Sequence, residues 1–188
     1  TPVFETLPWN YELIFVNDGS ADASGQILAE LAAADPRVRV INFSRNFGHE
    51  AAMLAGLDHS SGEGIVCMDA DLQHPPECVA QIIEKFEEGY EVINMVRTKN
   101  KSAGFIKNLT SSAFYKFLNK ISDVKLENNA SDFFALTANA AQVLKTNYRE
   151  KVRFLRGYVQ NIGFNRTTIE YARTGPGPAQ RRHPGRPR

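Results

Sequence analysis

Ile65-Val66-Cys67-Met68 runs directly into Asp69-Ala70-Asp71 and then into Leu72-Gln73-His74-Pro75-Pro76-Glu77. An apolar run that ends in acids and prolines predicts a buried strand whose carboxyl end opens into a loop. Side chains at positions i and i+2 of an extended segment point the same way, so both carboxylates can face one pocket. Such a pair suits a hard divalent cation that keeps waters and takes further ligands from substrate phosphates. A bare Asp-x-Asp is more often two acids in a turn, so this interpretation depends on the rest of the chain.

The composition is that of a globular protein. The 188 residues are 43% hydrophobic and 23% charged, with a formal net charge of +1. This length allows one domain with a substantial core, but not two ordinary domains. The balanced charge gives no reason to expect a nucleic acid as partner. Cys67 lies in the predicted buried strand, so we expect Cys67 and Cys78 to be free thiols in a reducing cytosolic setting.

Strand and helix signals alternate along the first half of the chain. This alternation predicts an α/β fold with a mostly parallel sheet flanked by helices. The first helix is expected to have Ser20 or Asp22 as its cap and to bury one face made by Ile27, Leu28 and Leu31. The predicted strands are residues 11–16, 38–43, 65–68 and 90–96, and the later helices are expected at about 50–59 and from Pro76 to Gly89.

Charged side chains follow the predicted strands. Ligands of such sheets bind in the crevice beyond the carboxyl ends of the strands. Each charge alone has a simpler explanation as a cap or a surface residue, but their shared position predicts one functional rim. The residues at or just after a strand end are Asp18, Arg45, Asp69, Asp71 and Arg97.

A basic segment follows Arg97. Residues 97–122 contain six Lys or Arg and no acid, and apolar residues recur between them at helical spacing. Two interpretations stay open: a surface helix with a solvated basic face, or an amphipathic helix against anionic lipid headgroups. No stretch approaches the roughly 18 apolar residues of a membrane span, and no signal peptide is present. We therefore expect a soluble or peripheral chain.

The last residues differ in composition from the rest. Residues 173–188 contain four prolines, three glycines, five arginines and no acid, which predicts a disordered basic tail. Gly185-Arg186-Pro187 resembles a minor-groove binding arm, but one short match carries little weight. A dinucleotide oxidoreductase is disfavoured because the turn after residue 16 lacks Gly-x-Gly-x-x-Gly. A zinc site is disfavoured because His49, His59 and His74 have no ligand spacing.

Together the motifs resemble the family 2 glycosyltransferases, in the branch of dolichol-phosphate mannosyltransferase and bacterial polyprenyl-phosphate glycosyltransferases. The resemblance runs from about residue 10 to residue 171, with the motifs in the family's order and at its spacings. The matching segments are Val16-Asn17-Asp18-Gly19-Ser20, Ser44-Arg45-Asn46-Phe47-Gly48, Asp69-Ala70-Asp71-Leu72-Gln73 with Pro75-Pro76-Glu77, and Arg153-Phe154-Leu155-Arg156-Gly157.

The resemblance implies a GT-A (Rossmann-like) domain over residues 1–172 and an inverting glycosyl transfer, with Mg²⁺ or Mn²⁺ as cofactor. The implied donor is a UDP- or GDP-linked sugar, and the implied acceptor is a polyprenyl (dolichyl or undecaprenyl) phosphate at the cytoplasmic membrane face. This is a reaction of cell-envelope synthesis, and the branch often carries membrane helices. The alternative is an inactive fragment that binds nucleotide sugar or membrane without turnover. A homo-oligomer stays open.

The family pattern also implies roles for individual residues. Asp18 would meet the nucleobase, and Asp69 and Asp71 would hold the metal on the donor diphosphate. Asp132 would face the acceptor, where it would be the general base for a hydroxyl but only a positioning group for an ionised phosphate. The implied donor-binding residues are Val16, Asp18, Asp69, Ala70, Asp71, Gln73, Arg97 and Lys107, and the implied catalytic residues are Asp132, Arg153 and Arg156.

The chain departs from the family pattern at three places. Asn17 stands where the family usually has an acid, and we expect it to point out of the pocket. The family's first strand and its Pro-x-Tyr-Asn-Glu turn are lacking, which we expect to remove part of the donor site. The Arg-x-x-x-Gly-x-Ser-Lys loop expected after Tyr171 is replaced by the basic tail. We therefore expect the architecture of a transferase and leave the activity of this chain open.

Overall fold

The computed structural model describes residues 2–5, 8–71, 73–98, 130–148 and 155–172. The basic segment from residue 99 onwards and the predicted tail therefore lie outside the described residues. The elements are α1 (Pro2–Glu5), β1 (Leu13–Asn17), α2 (Ser24–Ala34), β2 (Val38–Asn42), α3 (His49–His59), β3 (Gly64–Cys67), α4 (Cys78–Glu87), β4 (Val92–Arg97), β5 (Ala130–Thr137), α5 (Ala138–Asn147), α6 (Leu155–Asn161) and β6 (Arg166–Tyr171).

The described strands form two sheets. In the first, β1 and β2 pair in parallel, with Leu13 opposite Val38 and Asn17 opposite Asn42. The second has the order β3-β5-β4-β6. In it β5 runs antiparallel to both β3 and β4, and only β4 and β6 pair in parallel. The predicted α/β fold is thus confirmed, but the prediction of a mostly parallel sheet is wrong: the larger sheet is mixed, because β5 inserts between β3 and β4.

The core lies on both faces of the larger sheet. Neighbouring strand residues point to opposite faces, so Phe134 and Leu136 of β5 contact one side while Phe133 and Ala135 contact the other. All four are at most 2% exposed. Helices α3, α5 and α6 cover the first face, and α4 covers the second. Burial on both faces explains why the strands read as apolar runs without alternation.

Helix α2 differs from its sequence-based expectation. Neither Ser20 nor Asp22 caps it; the N-cap is Ala23, and Asp22 instead accepts a hydrogen bond from the Ser24 N–H at 3.0 Å. Ile27 and Leu31 were expected to be buried but are 53% and 45% exposed. The reason is that α2 packs on the sheet of β1 and β2 with a different face. That face contains the half-buried residues Gly25, Leu28 and Ala32, which recur at helical spacing.

Other boundaries are close to expectation. Helix α4 begins at Cys78 with Glu77 as N-cap, so Pro76 lies in the preceding turn and is not the first helical residue. Cys67 and Cys78 are both free, as predicted, and burial raises the pKa of the Cys67 thiol to about 12. Within the described residues, no helix is long and apolar enough to cross a membrane.

Candidate functional site at the carboxyl ends of the strands

The loop after β3 folds back on itself. The N–H of Asp69 donates to Nδ1 of His74 at 2.9 Å, and the N–H of Gln73 donates to Oδ1 of Asp71 at 3.1 Å. Asp69 and Asp71 are half-buried, Ala70 is exposed and Gln73 is buried. Both carboxylates therefore keep access to solvent on a loop whose backbone is held by its own side chains.

His74 anchors this loop to the sheet. Its ring stacks on Phe133 with centroids 5.0 Å apart and meets Tyr171 edge-on at 5.8 Å. Because Nδ1 accepts the Asp69 N–H, the proton of the neutral ring is on Nε2. That nitrogen is buried, has no hydrogen-bond partner among the described residues, and lies 3.9 Å from Oδ2 of Asp69. Burial lowers the pKa of His74, so the ring is held neutral against the pull of Asp69.

Asp132 reaches the same edge of the sheet from β5. Because β5 is antiparallel to its neighbours, its first residues lie beside their last ones. Ala130 pairs with Val96 of β4, and Phe134 pairs with Cys67 of β3. The antiparallel strand that the sequence did not predict is thus what brings Asp132 to the loop after β3.

His49 joins the two acids. Its Nε2 lies 3.4 Å from Oδ2 of Asp132, and its Nδ1 lies 3.8 Å from Oδ1 of Asp69. We call Asp69, His49 and Asp132 the His49 bridge. The hydrogen bond to Asp132 raises the pKa of His49; burial opposes this, and the charges of Asp69, Asp132 and Glu50 add to it.

Arg97 completes this edge of the larger sheet. It is the last residue of β4, it is exposed, and its Nε donates to the Tyr171 hydroxyl on β6 at 3.1 Å. Its charge helps to lower the pKa of His74, whereas the charges of Asp69, Asp71 and Asp132 oppose the shift. Four charges from three strands therefore act on one imidazole, as expected for residues that share a rim.

Asp18 lies at the smaller sheet and makes a different kind of contact. Its Oδ1 accepts the Phe47 N–H at 2.7 Å and its Oδ2 accepts the Gly48 N–H at 3.0 Å. The neighbouring Asn17 bonds Asn42 and the Ser20 N–H, each at 3.0 Å. Asp18 thus ties the end of β1 to the loop that leads into α3, and its proposed contact with a nucleobase stays a prediction.

Gly19 allows these two loops to meet. Its φ is +69°, and a Cβ at this position would lie 2.5 Å from the Arg45 carbonyl carbon and 2.6 Å from the Asn46 nitrogen. Both contacts are with backbone, which cannot move aside as a flexible side chain could. The predicted turn of residues 16–20 therefore packs directly against the predicted loop of residues 44–48.

The remaining sequence-predicted site residues are placed as follows. Val16 is half-buried in β1. Arg156 lies in α6, and the structure describes its backbone alone. Lys107 and Arg153 lie outside the described residues, so their roles stay predictions. Helix α6 is tied to the site by Glu50, whose Oε2 accepts the Leu155 N–H at 2.9 Å.

The donor set fits a small divalent cation. In the described part of the chain, no three His, Cys, Asp or Glu side chains converge as a metal-binding group. Mg²⁺ sites that act on phosphates usually take only one or two carboxylates from the protein and the other ligands from substrate and water. Asp69 and Asp71, half-buried at a loop, are oxygen donors of that kind.

His49, His74 and Glu50 have roles in the site that the sequence alone did not indicate. His49 and Glu50 contact residues that are far away in the chain. His74 contacts Asp69 only because the loop between them folds back. One signal was available: Glu50 and His49 follow directly on the segment of residues 44–48 that carried the family resemblance.

Comparison with known proteins identifies relatives of this architecture. The chain is 47% identical over 164 residues to an uncharacterized glycosyltransferase, YkcC, of Bacillus subtilis (strain 168). The aligned region covers 87% of this chain and 50% of the relative. It is 38% identical over 172 residues to a bactoprenol glucosyl transferase of Shigella phage SfX. This alignment covers 91% of this chain and 56% of the relative. The chain thus spans about half the length of the curated relatives it matches.

A solved structure supports the fold. A mannosyltransferase from Pyrobaculum calidifontis, in complex with GDP-Man and Mn²⁺, superposes with a TM-score of 0.56 at 16% identity, over 86% of this chain and 46% of that chain. At this identity the likeness concerns the fold alone. Residues 3–143 match the family model described as Glycosyl transferase family 2. The resemblance indicated by the motifs is therefore confirmed, and the chain belongs to glycosyltransferase family 2.

Proposed function

We propose that this chain is the catalytic domain of a metal-dependent glycosyltransferase, with the domain spanning residues 1–172. The reaction transfers a sugar from a UDP- or GDP-linked donor to a polyprenyl phosphate, with inversion at the anomeric carbon. The observation that carries the proposal is the His49 bridge, in which Asp69 from the loop after β3 and Asp132 from β5 approach one imidazole at 3.8 and 3.4 Å. The match to a bactoprenol glucosyl transferase supports a polyprenyl phosphate as acceptor.

Asp69 and Asp71 are the proposed ligands of Mg²⁺ or Mn²⁺. When bound, the cation would neutralise the negative charge that develops on the departing nucleoside diphosphate. The chain prepares these carboxylates before any ligand arrives, because Nδ1 of His74 and the Gln73 N–H hold the loop in place. Preorganised groups cost no reorganisation when charge develops, and for that reason they stabilise the transition state more than the ground state.

Arg97 and Arg156 are proposed to meet the diphosphate from other elements. The bond from Arg97 to Tyr171 fixes the direction of one guanidinium at the end of β4. A fixed guanidinium suits phosphate oxygens because its donors lie in a rigid plane. The proposed donor site also includes the described end of β1 with Val16, and Ala70 and Gln73 of the loop after β3. Lys107 and Arg153 are further proposed contacts.

Asp132 is proposed to orient the acceptor or the sugar. A lipid phosphate is mostly ionised near neutral pH, because the second pKa of a phosphate monoester is about 6. Such a nucleophile carries no proton that must be removed, so a general base is not required. The bond from His49 holds Asp132 in one direction, as a positioning group requires. Transfer at the cytoplasmic face of the membrane is part of the proposal, since the acceptor is a lipid.

A transfer assay tests the proposal. The protein is incubated with radiolabelled UDP-glucose or GDP-mannose, undecaprenyl phosphate in detergent and Mn²⁺, and the label is then extracted into organic solvent. We expect organic-phase label that requires the metal and is lost in Asp71→Ala. Metal-dependent donor binding without label transfer would favour the inactive binding fragment instead. Product retaining the donor's anomeric configuration would contradict the inverting mechanism.

A further inference from the structure

We infer that Glu50 is a positioning residue, which holds the first turn of α6, and with it Arg156, beside the His49 bridge. The inference rests on the proposed function, because it assigns Glu50 a part in the same reaction. The underlying contact is the 2.9 Å hydrogen bond from the Leu155 N–H to Oε2 of Glu50, between residues 105 positions apart.

The bond anchors the described start of α6 to the start of α3. Leu155 is the first described residue of α6, and its N–H has the Glu50 carboxylate as acceptor. A carboxylate is a stronger acceptor for such an N–H than a neutral oxygen. Because a hydrogen bond requires a particular distance and angle, this bond restricts where Leu155 can lie relative to α3.

Apolar packing alone leaves the position of α6 less well defined. Leu155 and Val159 are buried in the same cluster as Leu54 and Leu57 of α3. Such contacts attract without direction, whereas a hydrogen bond requires a particular distance and angle. Packing therefore holds α6 against α3, and the Glu50 bond selects where along α3 its first turn lies.

The neighbour of Glu50 makes this selection relevant to the site. His49 contacts Asp69 and Asp132, and the Cα atoms of consecutive residues are about 3.8 Å apart. The first two residues of α3 thus connect three chain segments: the loop after β3, the strand β5 and the start of α6. Arg156 directly follows the bonded residue, so the bond limits how far its backbone can move relative to the start of α3.

Charge stabilisation depends on such placement. A misplacement of about 1 Å can cost about 100-fold in rate. We therefore expect Glu50→Ala to lower kcat by about 10- to 100-fold with little change in the donor KM. Glu50→Gln retains an acceptor oxygen and should stay within about threefold of the wild type. Glu30→Ala is the matched control, because among the described residues Glu30 bonds only Gln26, one turn away in α2, and it should leave kcat unchanged.

A double-mutant cycle separates positioning from general stability. Arg156→Ala should lower kcat by about 100-fold in the wild-type background. In the Glu50→Ala background it should cost no more than about fivefold, because the arginine is already misplaced. Independent effects of the two substitutions, whose product gives the double mutant, would overturn the inference.

Hydrogen exchange of the Leu155 amide gives a readout that does not require activity. We expect this amide to exchange faster in Glu50→Ala than in the wild type and in Glu50→Gln. Equal exchange in all three proteins would overturn the inference, whatever the kinetics. A wild-type protein that transfers no sugar would refute the proposed function, whereas an active wild type with unchanged kcat in Glu50→Ala would refute the inference alone.

Discussion

Nε2 of His49 lies 3.4 Å from Oδ2 of Asp132. The contact joins the first residue of α3 to β5, which lies between β3 and β4 and is antiparallel to both. The loop after β3 carries Asp69, and β4 ends at Arg97. Through its second ring nitrogen His49 also approaches Asp69. One exposed histidine thus connects the proposed metal-binding loop with the proposed acceptor side of the site.

Gly19→Ala should destabilise the protein through backbone overlap. The positive φ of Gly19 costs an alanine roughly 1–2 kcal/mol, and the added Cβ would also lie 2.5 Å from the backbone of Arg45. We expect a total loss of about 3 kcal/mol or more in the free energy of unfolding. Urea denaturation with an unchanged m-value measures this loss.

Gly89→Ala is the matched control for that substitution. Gly89 has a φ of +88°, but a Cβ there meets no atom within 4 Å. It should therefore lose only the roughly 1–2 kcal/mol of conformational cost. Equal losses in the two variants would show that the loops of residues 16–20 and 44–48 do not pack as described.

Asp18 substitutions distinguish loop support from nucleobase contact. Asp18→Ala removes the acceptor for two backbone N–H groups and should cost about 1–3 kcal/mol of stability. Asp18→Asn keeps one acceptor and should lose about half as much. If Asp18 also contacts the nucleobase, calorimetry should give a higher donor Kd for Asp18→Asn than for the wild type under conditions where both proteins are fully folded. Glu30→Gln, which keeps an acceptor for Gln26 at an exposed position of α2, should change neither quantity.

His74→Phe should loosen the loop that carries Asp69. Phenylalanine retains the stacking on Phe133, but it removes the acceptor of the Asp69 N–H. A half-buried amide without a partner costs about 1–3 kcal/mol, and we expect this loss together with faster exchange of the Asp69 amide. His59→Phe is the control, because Nδ1 of the exposed His59 contacts the Ala55 carbonyl one turn away in α3 and no other group in the described part of the chain. Unchanged exchange at Asp69 would contradict the anchoring role of His74.

Asp35 and Arg37 predict a pH dependence of stability. The Arg37 guanidinium, hydrogen-bonded to Asp35, lowers the pKa of that carboxyl from its ordinary 3.8 to about 2. A carboxyl with a lower pKa in the folded state stabilises the fold above pH 3.8, and this contribution is lost as the pH falls through about 2. Because the pair is exposed, the contribution should be small.

NMR titration of the Asp35 carboxyl carbon measures the shift directly. We expect a midpoint near 2 in the wild type and a higher midpoint in Arg37→Gln, which removes the charged donor. The same midpoint in both proteins would contradict Arg37 as the cause.

Much of the fold could be predicted from local sequence. The strands β1 to β4 and the helices between them follow apolar runs and turn residues, which are local properties. Strand β5 could not be predicted, since a short apolar run such as Phe133–Leu136 does not distinguish a buried strand from a helix segment. Its antiparallel insertion depends on which edges are free in three dimensions. The prediction of which face of α2 is buried was wrong for a related reason. The small residues Gly25 and Ala32 allow α2 to approach the smaller sheet closely, and Ile27 and Leu31 remain exposed to solvent.

The positions of some candidate residues could be predicted from the strand ends and the family pattern, whereas their roles stay predictions. Asp69 and Asp71 follow β3, Arg97 ends β4, and Asp132 lies near the start of the antiparallel β5, so all four lie at one edge of the larger sheet. His49, His74 and Glu50 were missed because their roles arise from contacts rather than from residue spacing. Each supports another residue through a hydrogen bond or ion pair that only the folded chain creates.

The central claim is that Asp69 and Asp71 bind the cation that holds the donor diphosphate. Titration calorimetry of UDP-glucose and GDP-mannose with and without Mn²⁺ tests it most directly, in the wild type, Asp69→Asn, Asp71→Asn and the control Glu30→Gln in α2. We predict that Mn²⁺ strengthens donor binding at least about tenfold in the wild type and the control, and not in the two site variants. Equal strengthening by Mn²⁺ in all four proteins would contradict the claim.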